Sequence, residues 1–480
     1  GRSALHGLNR ERSATVPSMS AYPYADRFPV NRTLPEQGRD PGEIIDELRT
    51  LATEEDSFWE DGKVSGTMYC GDHDHYEFLN EAFGLFAHVN ALQRDICPSA
   101  TRFEGEIIAM TLDLFHAEAV TDGTPVGIVT SGGTASIAHA ILAYREAGRA
   151  RGITNPNIVK AETAHPAFGK AAQLFGLEDR TVPIDPVSTK ADMDALRAQI
   201  DENTVAIIGS ACNYGYGTID PIGEMSELAV ERGIGLHVDG CLGGFILPFG
   251  QDLGYPFEVF DYRLPGVTSM SSDTHKYGYG LKGSSVVTFR DTALRRGQYF
   301  YETEWTGGKY CSPSMDGSRS GGLLAATWAS MVKLGREGYL KYAKEIFGTA
   351  DKMIAAVRSH PELRIMGDPT FLFSFTSDEF DIYHVNDFMK LRGWRFNGQQ
   401  YPNAIHMAVT RPQTQEGVAE AFAADLAEAV EYAKEHKDGE PDSAAIYGGI
   451  PGGMTSDVDE FIRDIMANMM DEQQGVPPVS

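Results

Sequence analysis

Residues 266–285 read GVTSMSSDTHKYGYGLKGSS, and VVTF follows at 286–289. Two short apolar runs, Gly266–Met270 and Ser285–Phe289, flank a polar turn that carries Lys276 and Lys282. Runs this short, bounded by glycine-rich turns, have the length of strands buried in a sheet. Similar runs recur upstream at Val126–Val129, Ile158–Val159, Val205–Ile208 and Ile234–Val238, separated by helix-sized segments such as Glu104–Phe115 and 134–148. This alternation predicts a large α/β domain built on a mainly parallel sheet. Beyond about residue 345 the order changes to strand-like Leu363–Met366 and Leu372–Phe375, a helix at Tyr383–Leu391, strand-like Ala404–Val409 and a long helix at Glu416–Lys434. A smaller α+β domain is expected there. Periodic stretches at Glu43–Leu51 and Tyr76–His88 read as an arm and lead-in helices, so the expected division is 1–94, 95–345 and 346–480. No repeat or low-complexity tract intervenes.

Lys+Arg total 41 against Asp+Glu 68, a formal charge of -27 that opposes nonspecific attraction to nucleic acid or an anionic bilayer. Cysteines at 70, 97, 212, 241 and 311 are odd in number and form no CxxC pair, as expected of isolated thiols in a reducing compartment. No apolar stretch has the length of a membrane helix, and no charged segment leads into an apolar core at the N-terminus. A cytoplasmic location is expected. Gly1–Ser20 is polar and patternless, read as a flexible arm or expression remnant outside the fold.

Three constellations carry chemistry. Ser131-Gly132-Gly133-Thr134 joins a strand to a helix, where free backbone N–H groups favour an anion such as phosphate; a tight turn without ligand is the alternative. Asp239, in His237-Val238-Asp239-Gly240-Cys241, falls at the C-terminal end of a strand, where open α/β sheets bind ligands. Its carboxylate suits a ligand cation, including a protonated ring nitrogen, or a simple cap of the next element. Lys276 follows Ser272-Asp273-Thr274-His275, and burial with His275 and Lys282 nearby is expected to lower its pKa towards a useful nucleophile. Two motifs are set aside. Gly278-Tyr279-Gly280-Leu281-Lys282-Gly283 satisfies G-x-G-x-x-G but precedes a strand-like run rather than a helix, and Asp72-His73-Asp74-His75 fits a solvated helix start better than a metal site. No metal is assigned.

Together with His165-Pro166-Ala167-Phe168, the segments 131–134, 237–245 and 266–285 resemble the sphingosine phosphate lyase family, fold-type I pyridoxal-phosphate enzymes near the group II decarboxylases. The similarity continues through Trp305–Tyr310, Gly317–Gly322 and Ala445-Ile446-Tyr447-Gly448, covering roughly residues 40–470. It implies pyridoxal 5'-phosphate carried as a Schiff base on Lys276, with Asp239 on the pyridine nitrogen and His165 stacked on the ring. Gly132, Gly133, Thr134 and His275 would hold the cofactor phosphate. Tyr69, Gln93, Lys282 and Tyr447 would form the substrate phosphate site, with Tyr216 near the reacting carbon. The implied reaction is retro-aldol cleavage of a phosphorylated sphingoid base to an aldehyde and phosphoethanolamine, in a homodimer. One departure stands out: the family's Asn-Pro-Leu-His-Pro-Asp is here Asn90-Ala91-Leu92-Gln93-Arg94-Asp95, so a cation-capable imidazole becomes an amide. Arg94 supplies charge if it points inward. The rival reading is an amino-acid decarboxylase, favoured if Arg94 binds a substrate carboxylate. A noncatalytic homologue is disfavoured by the joint retention of Lys276, Asp239 and His165.

Overall fold

A computed structural model describes residues 22–450 and 454–477. These fall into two compact units, one comprising residues 22–58, 450 and 454–477, the other residues 59–449. The first unit contains the helices Pro41–Asp56, capped by the Asp40 carboxylate on the Gly42 N–H (2.8 Å), and Ser456–Gln473, capped by Thr455. Gly1–Ser20, read from the sequence as outside the fold, lies outside the described residues.

The second unit is organised by a seven-stranded sheet: β1 (Val126–Thr130), β2 (Asn157–Ala161), β3 (Glu178–Val182), β4 (Thr204–Ser210), β5 (Gly235–Asp239), β6 (Ser269–Ser272) and β7 (Ser285–Phe289). Their spatial order is β1-β7-β6-β5-β4-β2-β3; β7 alone runs antiparallel to its neighbours. Every residue of β2, β4, β5, β6 and β7 is buried, the condition of a sheet covered on both faces, where each Val, Ile or Leu contributes about 1.5–3 kcal/mol. Edge strand β3, EDRTV, has only Val182 buried and so offers no apolar run to read.

A two-stranded ribbon follows, β8 (Phe300–Glu302) with β9 (Tyr310–Ser312). An antiparallel sheet of β10 (Leu363–Ile365), β11 (Leu372–Ser377), β12 (Asn397–Gln399) and β13 (Ala404–Ala408) then forms in the order β10-β11-β13-β12. The boundary expected at 345/346 falls inside the helix Gly321–Arg358, whose one non-helical residue is Gly335 (φ 56°, ψ 179°). Strands β1, β2, β4, β5 and β6 all point the same way, so the turns after their carboxyl ends open on one edge of the sheet.

Candidate active site

A cavity of about 610 Å³ lies at that edge, lined by residues from four of these turns. After β1, Gly132 (φ 154°) opens the helix Gly133–Ala150 with no side-chain cap, and residues 131–135 of this turn line the cavity. Glycine is required at 133: a Cβ there would lie 2.7 Å from Asp273 Oδ2. After β2 comes His165, whose Nδ1 accepts from the Ala167 N–H (3.1 Å), leaving the proton of a neutral ring on Nε2. Asp239 ends β5, its Oδ1 accepting from the Cys241 N–H (3.0 Å) and the Ser271 hydroxyl (3.3 Å). Among the described residues no donor engages Oδ2. After β6, Asp273, His275 and Lys276 enter together. The structure therefore gathers Gly132, Gly133, Thr134, His165, Asp239, His275 and Lys276 around one space, joined by Asp273, Cys241, Lys170 and Met315, to which the sequence reading gave no role.

The electrostatics differ from expectation at Lys276. Burial does oppose its charge, but Asp273 Oδ2 stands 2.9 Å from Nζ and outweighs burial, so the ammonium's pKa is raised. Asp273 is itself buried and its Oδ1 has no partner. The signal was available, since an acid three residues before a lysine in a turn reaches it. Burial lowers the pKa of His275, and its Nδ1 accepts from the Ser284 N–H (3.2 Å), which leaves a neutral ring donating from Nε2.

Tyr69 and Lys282 form a second group. Lys282 Nζ sits 4.5 Å from the Tyr69 ring centroid and donates to the Thr67 carbonyl (3.1 Å). Partial burial and then the Lys276 charge lower the Lys282 pKa to about 8, although its side chain still reaches the surface. Tyr216 is buried against Met366 and Ala404; in the same loop, partial burial raises the pKa of Tyr214 and the charges of Arg395 and Lys276 oppose it. Tyr214 stacks on His406 (4.5 Å), whose Nδ1 donates to the Gly215 carbonyl (3.3 Å). Tyr447 is half-exposed and stacks on Tyr383, whose hydroxyl donates to the Gln399 carbonyl; the Gln399 amide in turn donates to the Gly215 carbonyl (2.6 Å). Gln93 is exposed and is not among the residues lining this cavity, and neither are Tyr69, Lys282 and Tyr447. Arg94 does not face a ligand: its guanidinium pairs with Glu104 and donates to Thr101 (3.2 Å).

The donor set fits a phosphorylated pyridine aldehyde. A primary amine, a free carboxylate oxygen, an imidazole and a glycine-lined helix N-terminus meet at one cavity.

The profile of the pyridoxal-dependent decarboxylase conserved domain matches residues 24–373. The chain is 42% identical over 471 residues to sphingosine-1-phosphate lyase of Dictyostelium discoideum, covering 97% of this chain and 86% of that protein. It is 41% identical over 454 residues to sphingosine-1-phosphate lyase 1 of Rattus norvegicus, covering 94% and 78%. Among solved structures, the sphingosine-1-phosphate lyase of Burkholderia pseudomallei superposes with a TM-score of 0.89 at 55% identity, covering 95% of this chain and 100% of that one. The glutamate decarboxylase of Lactobacillus brevis shares the fold, with a TM-score of 0.72 at 20% identity over 86% and 97% of the two chains.

Proposed function

Because the chain belongs to the sphingosine-1-phosphate lyase family of pyridoxal-dependent enzymes, we propose that it cleaves a phosphorylated sphingoid base between the amine-bearing and hydroxyl-bearing carbons. The products are a fatty aldehyde and phosphoethanolamine. The observation that carries this reading is the meeting of Lys276, Asp239, His165 and the 132–134 turn at one cavity, with the Tyr69–Lys282 pair coupled electrostatically to Lys276.

Bound pyridoxal phosphate supplies an electron sink for the pair released when the carbon–carbon bond breaks. Lys276 Nζ is the amine that would hold it, and Asp239 would keep its ring-nitrogen proton in place. The 132–134 N–H groups and His275 would hold its phosphate, and His165 would pack against the ring. Lys282 and Tyr69 bind the substrate phosphate as cation and donor, with Gln93 and Tyr447 completing that pocket. Tyr214, rather than Tyr216, hydrogen-bonds the substrate's 3-hydroxyl; partial burial keeps its own hydroxyl protonated, against the opposing charges of Arg395 and Lys276. Arg94 is held by Glu104 and the Thr101 hydroxyl and is not among the residues lining the cavity, so it gives no support to a substrate carboxylate there. That disfavours the decarboxylase reading.

We further infer a homodimer, in which an exposed Gln93 is free to reach the phosphate pocket of a second chain. The five free cysteines support a reducing compartment such as the cytoplasm. Among the described residues no helix is long and apolar enough to cross a membrane.

The test is incubation with a phosphorylated sphingoid base and, separately, a panel of amino acids, with products identified by mass spectrometry. Aldehyde with phosphoethanolamine is expected; carbon dioxide with an amine would replace the reading by the decarboxylase one. Borohydride reduction should leave a pyridoxyl adduct on Lys276, and Lys276→Ala should abolish both adduct and turnover.

A further inference from the structure

Strands β5 and β6 run parallel in a register that sets His237 opposite Ser269 and Asp239 opposite Ser271. Side chains alternate along a strand, so Gly235, His237 and Asp239 share one face of β5, while Ser269 and Ser271 share one face of β6. Polar atoms on this face join in a continuous line. The Tyr144 hydroxyl, from the helix Gly133–Ala150, lies 2.5 Å from Ser269 Oγ. Ser269 Oγ is 2.7 Å from His237 Nδ1, His237 Nε2 is 3.0 Å from Ser271 Oγ, and Ser271 Oγ is 3.3 Å from Asp239 Oδ1. Gly235 makes room for this line: a Cβ there would fall 2.2 Å from the Tyr144 ring. The Phe168 ring packs edge-on to the imidazole at 5.6 Å, closing its other side.

The chemistry of the end group sets the direction of every bond. An ionised carboxylate only accepts, so Ser271 spends its single proton on Asp239 and must accept from His237 Nε2–H. Burial pushes the His237 pKa down to about 4, so the ring is neutral and its Nδ1 is a bare lone pair that accepts from Ser269. Ser269 then accepts from the Tyr144 hydroxyl, which Thr268 Oγ1 approaches at 2.7 Å. Asp239 and Tyr144 are the titratable groups at the two ends, and the Cys241 thiol reaches Ser271 at 3.4 Å. Tyr144, Ser269, His237, Ser271 and Asp239 are all buried. Burying so many polar groups is unfavourable unless each is bonded, and apolar residues would fill a merely structural core more simply.

We propose that Tyr144, Ser269, His237 and Ser271 form a one-way donor relay whose function is to hold Asp239 ionised and turned so that Oδ2 faces the cofactor's ring nitrogen. His237 and Ser271 are positioning residues, acting on the electron sink through Asp239. The inference rests on the cofactor reading above.

The test uses holoenzyme carrying ring-15N-labelled pyridoxal phosphate, since the 15N shift reports whether that nitrogen is protonated. In the wild type the ring nitrogen should stay protonated from pH 6 to about 9. In Ser271→Ala and in His237→Phe it should lose its proton inside that range, with kcat about tenfold lower and KM little changed. His237→Gln, which can present an N–H to Ser271 and a carbonyl to Ser269, should restore most of both. In cofactor-free protein, histidine 15N shifts should show His237 as the neutral Nε2–H tautomer. If Ser271→Ala folds, binds cofactor and leaves the ring-nitrogen titration unchanged, the relay is only packing and the proposal fails. If wild-type protein holds no cofactor on Lys276, the cofactor reading itself has failed, a result separable from the first.

Discussion

Tyr214 and Tyr216 sit two positions apart in one loop, and their surroundings assign them different work. Tyr214 stacks on His406 and its hydroxyl feels Lys276, whereas Tyr216 is buried against Met366 and Ala404. Tyr214→Phe should lower kcat about tenfold, the scale of a lost hydrogen bond to the reacting hydroxyl, while Tyr216→Phe should stay within about twofold. Steady-state kinetics on a phosphorylated sphingoid base decides this, and the reverse order would return the role to Tyr216. Lys282 gives a pH signature. Its pKa of about 8 means that the ammonium is fully present below that value and lost as pH rises through it. kcat/KM for the phosphorylated substrate should therefore fall above about pH 8, Lys282→Arg should move the fall to higher pH, and Lys282→Met should remove it. A wild-type profile flat to pH 10 would mean that Lys282 does not bind the phosphate. Lys276, Asp239 and the 131–134 turn stand out in the sequence as short motifs near strand ends, while His165 came only through the family resemblance; all of them line one cavity. Tyr214 was not legible, because a strand-to-loop segment with two tyrosines does not say which one the backbone turns inward. The raised pKa of Lys276 was missed for a related reason: the reading weighed the cations His275 and Lys282 and gave no weight to Asp273, which is closer.

At the scale of elements, the legible strands were those that carry a short apolar run. β1, β4, β5 and β7 appear at their apolar runs within a residue or so, while β3, the ribbon strands β8 and β9, and the short β12 carry no such run and were not foreseen. What clamps several elements together is a buried charge cluster that periodicity cannot reveal. Glu104, on the helix Pro98–Leu114, accepts from the β1 Val129 N–H (2.9 Å) and from Arg319 Nη1 (2.7 Å), just before the helix Gly321–Arg358, and also pairs with Arg94. Burial alone would raise the Glu104 pKa, but Arg319 and then Arg94 outweigh it, and the carboxyl is held below its usual value. Its stabilising contribution is therefore complete above the unfolded value near ~4.3 and is lost as pH falls through the lower folded value. Glu104→Gln leaves two guanidinium groups without their counter-charge and should cost about 3–5 kcal/mol at pH 7. Urea unfolding at several pH values checks the sign: the gap between wild type and variant should hold down to about pH 5 and close only below about 4. A gap independent of pH would show that Glu104 acts through shape rather than charge.

For the whole molecule, the question is how an exposed Gln93 can belong to a phosphate pocket that Lys282 and Tyr69 share with Lys276. Gln93, like Tyr69, Lys282 and Tyr447, is not among the residues lining the cofactor cavity, and its exposure leaves it free to meet a second copy. A two-fold dimer answers this because both chains present the same patch, and each site then takes Lys276 from one chain and Gln93 from the other. Gln93→Glu places a negative charge against the substrate phosphate and should disable the enzyme on phosphorylated substrates, as Lys276→Ala does by removing the amine. Mixing the two inactive proteins under conditions that exchange subunits should then regain activity. In a hybrid, one site carries both defects and the other carries neither, so random reassortment predicts about a quarter of wild-type activity. Analytical ultracentrifugation of differently tagged chains confirms that hybrids form. Hybrids without recovered activity would place Gln93 and Lys276 of each site on the same chain. Full activity in Gln93→Glu alone would remove Gln93 from the pocket, leaving Tyr69, Lys282 and Tyr447 as its proposed members.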